Sequence, residues 1–274
     1  MSVKRSIGRK VTFVVGTILA FAYIFPFFLV FVNSLKLKPE ILANPLALPK
    51  QISWDNFSQA LTKMNFFRSL TNSIIITVLS VSMLIIFSSM LAYYLARTKN
   101  KLSKYIFLIL VTSMIVPFQA LMIPFMARFA QFVSWNNRGA LIFFYIGFGT
   151  ALSTFLYHGF ISKIPMDLDE AAAMDGASDM TIFWRIVFPM LKPVTATVAI
   201  VNALWIWNDF LLPRLVLTKE TQTLPLSTYL FYDQYATEYG QAMAGLLLAV
   251  LPIIVFYLIL QKQFISGISQ GAVK

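Results

Sequence analysis

Cysteine is absent from the 274 residues, and histidine occurs once. The first absence excludes disulfides and thiolate metal ligation, and the second leaves no multi-histidine site. Charge is scarce as well: charged residues make up 12% of the chain, against about 25% in a soluble domain. An integral-membrane enzyme needs a nucleophile–base pair or a set of metal ligands, which one histidine without cysteine does not supply. No catalytic residue, metal site or cofactor is therefore expected. The net charge of +11 lies mostly in short hydrophilic segments. No basic face with interleaved aromatics forms, so nucleic acid is excluded as a partner, whereas an anionic lipid surface suits such loops.

What the chain has in quantity is apolar length. Hydrophobic residues reach 58%, phenylalanine alone contributes 26 positions, and the mean hydropathy is +0.75. A helical crossing needs about twenty apolar residues, and lipid leaves unpaired backbone groups unsatisfied, so helices are the expected solution. Six runs qualify, at 11–33, 70–96, 105–127, 139–161, 193–213 and 243–264. The first follows a basic start like that of a signal peptide, but it is too long and lacks a small-residue cleavage site, and reads as a retained helix. Pro26, Pro117, Pro124 and Pro252 fall inside these runs; each removes an amide donor and is expected to kink its helix. Basic clusters at Lys4, Arg5, Arg9 and Lys10, and at Arg97, Lys99, Lys101 and Lys104, place both termini on the cytoplasmic side. The bases of the first external segment, 34–68, pull the other way. That segment, with PLALPKQISWDNFSQAL, holds prolines followed by a short amphipathic pattern. No repeat is visible, and one membrane domain is the simplest division.

Between the fourth and fifth runs stands a different kind of sequence, EAAAMDGASDMTIFWRIVFPMLKP, from Glu170 to Pro193. Pro165 can open a helix, and Asp167, Asp169 and Glu170 then complement the dipole of its first turns. Gly176 can take the left-handed conformation that stops a helix. Ser178 can cap a second one, which Pro189 and Pro193 break. The insert reads as a helix, a glycine turn and a second helix at the membrane surface. An amphipathic hairpin that merely seals the inner face of the bundle explains this pattern. The small residues Ala171, Ala172, Ala173 and Gly176 equally suit a helix that docks closely into a cleft, with Glu170 as anchor for a basic partner residue.

The stretch Glu170, Ala171, Ala172, Asp175, Gly176, Ala177, Ile186 and Pro189 resembles the EAA loop of binding-protein-dependent ABC importer permeases. FFRSLTNSIIIT resembles the start of that family's core, and WNDFLLP and the closing GISQGAVK resemble its carbohydrate-importer branch, the maltose-type permease with six spans. The resemblance covers nearly the whole chain, most specifically from about residue 66 onward. It implies an all-α polytopic membrane protein with six transmembrane helices and the type I ABC importer permease fold. It divides the chain into a first helix with external loop (1–68), a transmembrane core (69–265) with the EAA loop at about 163–190, and a cytoplasmic tail (266–274). It further implies a bacterial plasma-membrane location and a heterodimer with a second permease. A cytoplasmic ABC ATPase dimer, an extracytoplasmic solute-binding protein and a sugar substrate complete the implied partners. The EAA loop would be the coupling helix that enters a cleft of the ATPase. No G-x-x-x-x-G-K-[ST] occurs, so ATP hydrolysis is assigned to other chains. The tail either touches the ATPases or is a frayed terminus.

The fifth run carries Asn202, Trp205, Trp207, Asn208 and Asp209. Amides, a carboxylate and aromatic faces suit a sugar, and Asp209 is the only acid inside any of the six runs; such residues usually face a cavity or a partner. Asn202, Trp205, Asn208 and Asp209 are thus candidates for the substrate path. An outer aromatic belt explains the tryptophans too, because Trp207 lies roughly 21 Å above Pro193 at 1.5 Å per residue. The serines of the second run suit close helix packing first and pore lining second. His158 near the inner end of the fourth run reads as interfacial. An ion-coupled secondary transporter or channel would normally need several buried ionisable groups, repeated broken helices or a filter sequence.

Overall fold

The computed structural model describes residues 2–98, 100–133, 138–232 and 238–272. Among these residues all regular structure is helical. Four helices are individually long and apolar enough to cross a bilayer, and two sharply bent pairs bring the number to six if each pair is one span.

The chain divides into two compact units, residues 1–67 with 228–251 and residues 68–227 with 252–274. In the first, α1 (Ser2–Ser34) is followed by the short helices α2 (Lys38–Ala43) and α3 (Asp55–Lys63). The loop after α1 is organised around Lys36. Its ammonium is buried and donates to Asn33 Oδ1 at 3.0 Å and to the carbonyls of Asn44 at 3.2 Å and Pro45 at 3.3 Å. A buried ammonium without such acceptors would be strongly destabilising.

The second unit begins within α4 (Phe66–Arg97), whose buried stripe is rich in small polar residues: Ser69, Asn72, Ser73, Thr77, Ser80, Ser88 and Ser89. Serines at these positions let helices approach closely. The helix α7 (Arg138–Ile161) packs here, with Ile76 and Leu84 of α4 joining Leu141, Phe144 and Tyr145 in one apolar cluster. Gly149 permits this approach: a Cβ there would lie 2.7 Å from Leu84 Cδ1 and 3.1 Å from Asn202 Oδ1.

Two of the six expected spans are not straight. The run 105–127 forms α5 (Lys101–Ser113) and α6 (Phe118–Val133), bent by 104° across the break. Pro117 lies in the break, where it has no amide to donate and restricts the residue before it. Thr112 and Ser113 also turn their hydroxyls back onto the carbonyls of Leu108 and Leu110, a bonding pattern that bends helices. The other three prolines, Pro26, Pro124 and Pro252, are accommodated inside helices.

The run 193–213 is also divided. It is interrupted at Asp209, which adopts an extended conformation. The residues after α7 are α8 (Asp167–Met174), α9 (Asp179–Ile182), a π-helical turn (Phe183–Val187), α10 (Phe188–Met190), α11 (Lys192–Asn208), α12 (Leu211–Val216) and α13 (Leu224–Ser227). A 3-10 turn at Thr228–Phe231 and α14 (Tyr239–Ala272) complete the described chain. The α9–α10 segment meets α11 at 78°. The break at Asp209 has a local cause: its Oδ1 accepts from the amide of Leu211 at 3.0 Å, so the side chain replaces a helical carbonyl and α12 starts afresh.

Candidate functional site

The helix α8 is short, and its two ends are made differently. At its start no side chain caps the backbone, and Asp167, Asp169 and Glu170 fill the first turn, where the helix dipole favours them. At its end Gly176 has φ +84°. Its amide donates to Ala173 O at 3.0 Å and the amide of Ala177 to Ala172 O at 3.0 Å. These two bonds are the 5→2 and 6→1 pair of a Schellman motif, with Asp175 at the C-cap and Gly176 in the left-handed position after it. The motif also brings an apolar residue after the turn onto the last turn of helix, and Ala172 and Ala177 both pack against one core cluster with Ile164, Ile182 and Val187. The spacing Ala172–Asp175–Gly176–Ala177 is therefore the spacing of a helix stop. Ser178 caps the next helix as its sequence position suggests, accepting from the amide of Thr181 at 3.4 Å.

The two neighbouring acids at the head of α8 meet different environments, Asp169 buried and Glu170 exposed. Asp169 is buried at 8% exposure. Its Oδ2 accepts from Arg97 Nε at 2.8 Å and from the Tyr93 hydroxyl at 2.9 Å, while Oδ1 accepts from Arg97 Nη2 at 3.1 Å. The remaining guanidinium nitrogen, Nη1, donates to the carbonyl of Ile164 at 3.1 Å. The planar fork of the guanidinium thus grips both carboxylate oxygens and the chain just before α8. Removing one member of a pair buried in this way costs about 3–5 kcal/mol, because the other charge is left uncompensated.

Glu170, one residue later, is exposed, and its carboxylate makes no hydrogen bond or ion pair among the described residues. Ala171, Ala173, Met174 and Asp175 share its exposure, with Met174 at 85%. The resulting outer surface is small and largely apolar, with exposed carboxylates at Glu170 and Asp175. Ile186 is half-buried in the π-helical turn, and Pro189 is exposed within α10. Beyond them Leu191, Val194 and Val198 continue the same core as Tyr157 and Ile161 of α7. His158 stacks on Phe107 with ring centroids 4.1 Å apart.

The polar residues of α11 separate into two groups. Asn202 is 1% exposed, and its amide nitrogen donates to Ser153 Oγ at 3.0 Å and to Val198 O at 2.8 Å. It serves as a fastening between α11 and α7. Trp207 is likewise buried. Trp205 is 40% exposed, with its ring edge-on to Tyr145 at 5.4 Å. Asn208 is exposed and donates to Leu204 O at 2.8 Å. Asp209 is half-buried and accepts from the Tyr145 hydroxyl at 3.0 Å. Trp205, Tyr145 and Asp209 thus form one aromatic–carboxylate group at the end of α11, with Asn208 beside it in the chain.

The structure brings Arg97 and Tyr93 to the insert, and sequence reasoning assigned neither residue a role there. The available signals were an arginine closing the second apolar run and an acid doublet opening the insert, both on the side assigned to the cytoplasm. They lie 72 residues apart, and nothing local pairs them.

Comparison with known proteins agrees with this architecture. Residues 85–270 match the family described as binding-protein-dependent transport system inner membrane component. The chain is 44% identical to the probable starch degradation products transport system permease protein AmyC of Thermoanaerobacterium thermosulfurigenes, over 94% of each chain. It is 38% identical to the melibiose/raffinose/stachyose import permease protein MelC of Bacillus subtilis, over the full length of both. It is also 38% identical to the multiple sugar-binding transport system permease protein MsmG of Streptococcus mutans, over 97% of this chain and 96% of that one. In fold it is similar to a chain in the crystal structure of a bacterial ABC transporter involved in the import of the acidic polysaccharide alginate. That match has a TM-score of 0.82 at 24% identity and covers 96% and 98% of the two chains. With two thirds of its length in the family match and full-length relatives well above 30% identity, the chain belongs to the binding-protein-dependent transport system inner membrane components, the permease subunits of ABC transporters.

Proposed function

We propose that this chain is one permease subunit of an importer for a sugar or oligosaccharide, and that α8 with its Gly176 turn is the element through which cytoplasmic ATPase chains drive it. The carrying observation is the division of labour at the head of α8. Asp169 is bound inward to the bundle, while the side chains of Glu170, Ala171, Ala173 and Met174 are exposed, and the Glu170 carboxylate has no partner among the described residues. A small, largely apolar surface headed by the Glu170 carboxylate suits a cleft that offers a cation. Asp175, Gly176 and Ala177 set the end of that surface, and Ala172, Ile186 and Pro189 support it from the adjoining turns. The basic clusters at Lys4, Arg5, Arg9 and Lys10 and at Arg97, Lys99, Lys101 and Lys104 support an inside position for this face and for both termini.

The sugar assignment is supported by the relatives, whose names specify starch degradation products, melibiose, raffinose and stachyose. Trp205, Asn208 and Asp209 are the path residues, with Asn202 holding α11 behind them. A second permease, an external solute-binding protein and an ATPase dimer complete the assembly. No G-x-x-x-x-G-K-[ST] occurs in the sequence, which supports assigning ATP hydrolysis to the partner chains.

The test is substitution of Glu170. A charge-assisted hydrogen bond is worth roughly 1.5–3 kcal/mol, so its loss weakens docking about tenfold to a hundredfold at 1.4 kcal/mol per decade. Glu170→Ala preserves helix propensity, and Glu170→Gln preserves shape without charge. Both variants are expected in the membrane, with less ATPase retained on purification and less uptake. Wild-type retention and uptake in both variants would reduce Glu170 to a helix-dipole role worth about 0.3–1 kcal/mol and remove the docking assignment.

A further inference from the structure

We infer that Arg97, Tyr93 and Asp169 form the joint that makes α8 and α4 move as one body, so that displacement of α8 becomes displacement of a membrane-spanning helix. The inference rests on the proposed docking of α8 and concerns what happens behind it. A docked helix transmits force only if it is stiffly attached to something in the bundle. The backbone attachment of α8 is poor for this purpose. On one side lies the irregular stretch 162–166, and on the other the Gly176 turn. Apolar packing behind α8 is light, contributed by Ala172 and, after the turn, Ala177.

The Arg97 fork supplies the missing stiffness. Arg97 is the last residue of α4, a helix of 32 residues, and Tyr93 stands one turn earlier on the same face. Together they hold Asp169 through three hydrogen bonds of 2.8, 2.9 and 3.1 Å, and Arg97 holds the Ile164 carbonyl through a fourth at 3.1 Å. The Tyr93 ring is in turn packed on Phe183, 5.3 Å between centroids, which ties the second half of the insert to the same point. Three directed bonds from the planar guanidinium and a fourth from the Tyr93 hydroxyl restrict sliding as well as separation, which a single ion pair would not. Rigid elements with discrete arrangements, rather than flexible tethers, carry conformational change between distant sites. Arg97 and Asp169 are positioning residues in this account, since neither touches substrate or nucleotide.

Two measurements test the joint. The chain lacks cysteine, so Val78→Cys on α4 and Asp167→Cys at the start of α8, both exposed, can carry spin labels without background from this chain, in an assembly whose other chains are made cysteine-free. In nanodiscs the distance between them should be single and narrow. It should also stay unchanged in the assembled importer between the nucleotide-free state and the state trapped with ATP and vanadate. Adding Arg97→Ala or Asp169→Asn should broaden it. A wild-type distance that changes between the two states overturns the joint, whatever becomes of the docking assignment. The second measurement is sugar imported per ATP hydrolysed. Arg97→Ala, Asp169→Asn and the milder Tyr93→Phe should retain bound ATPase and its hydrolysis while this ratio falls, by roughly 5- to 150-fold for the first two, the usual span of coupling between sites. Arg97→Lys, which keeps the charge but not the fork, should fall between them and wild type. If hydrolysis and uptake fall together at constant ratio, or the ratio stays at the wild-type value, the cluster is a folding brace and the inference fails. Glu170→Ala in the same preparation reports docking separately, through retained ATPase with the label distance still narrow.

Discussion

Replacement of Gly176 isolates a conformational effect from a steric one. Gly176 has φ +84°, yet nothing lies within 4 Å of where its Cβ would stand. A Cβ there meets open space, so the local cost of an alanine is that of holding an L-residue in the left-handed region. That cost is roughly 1–2 kcal/mol for an ordinary residue, smaller for asparagine, which tolerates this conformation, and larger for a β-branched residue. The two bonds that depend on this φ, from Gly176 to Ala173 and from Ala177 to Ala172, should open accordingly. At 1.4 kcal/mol per decade, Gly176→Ala raises the open population of the turn about tenfold. Gly176→Asn raises it less and Gly176→Val more. Hydrogen–deuterium exchange of the segment 170–180, followed by mass spectrometry, reads this directly. Exchange there should accelerate in the order Asn, Ala, Val, while the segment 70–96 keeps wild-type protection. Uptake should fall in the same order. Equal exchange for the valine and asparagine variants would refute the left-handed turn as the source of the effect. Accelerated exchange in Gly176→Val with normal uptake would show that an ordered turn is not needed for coupling.

Gly149→Ala is expected to disturb the α4–α7–α11 contact, since its methyl would stand 2.7 Å from Leu84 Cδ1 and 3.1 Å from Asn202 Oδ1. Overpacking of this kind costs about 1–3 kcal/mol, readable as a lower thermal midpoint in detergent, and an unchanged midpoint would contradict the packing. Asn202→Ala should be milder, because a hydrogen bond between membrane helices averages about 0.6 kcal/mol; a loss of uptake at wild-type stability would place Asn202 in the path itself. Trp205→Ala and Asp209→Asn should raise the sugar concentration needed for half-maximal uptake without loss of assembly, and wild-type transport in both would return these residues to the interface and to capping. Purified alone, the chain should show no sustained ATP hydrolysis, and turnover by the single chain would end the reading of it as a subunit driven by others.

How much was legible in the sequence depended on the range of the forces involved. The stop at Gly176 and the cap at Ser178 were readable because each is decided by bonds spanning three to five residues. The apolar runs were readable because burial of backbone polar groups in lipid leaves helix as the solution for any such run. The breaks were only partly readable. Pro117 announced a disturbance, but a 104° bend also needed the back-bonded hydroxyls of Thr112 and Ser113. Asp209 was recognised as unusual for its charge, while its Asx-type bond to Leu211 ended α11.

A helical membrane chain with an amphipathic insert follows from local sequence alone, because periodicity, proline, glycine and capping residues act over one or two turns. Tertiary structure alone decided what the polar residues are for. It turned Asp169 inward to Arg97 and Glu170 outward, although the two acids are adjacent and chemically alike. It spent Asn202 on Ser153 while leaving Trp205 exposed. Successive residues on a helix point about 100° apart, so their environments diverge at once. Which environment each meets is set by partners 49 and 72 residues away, which only the packing of α4, α7, α8 and α11 brings together.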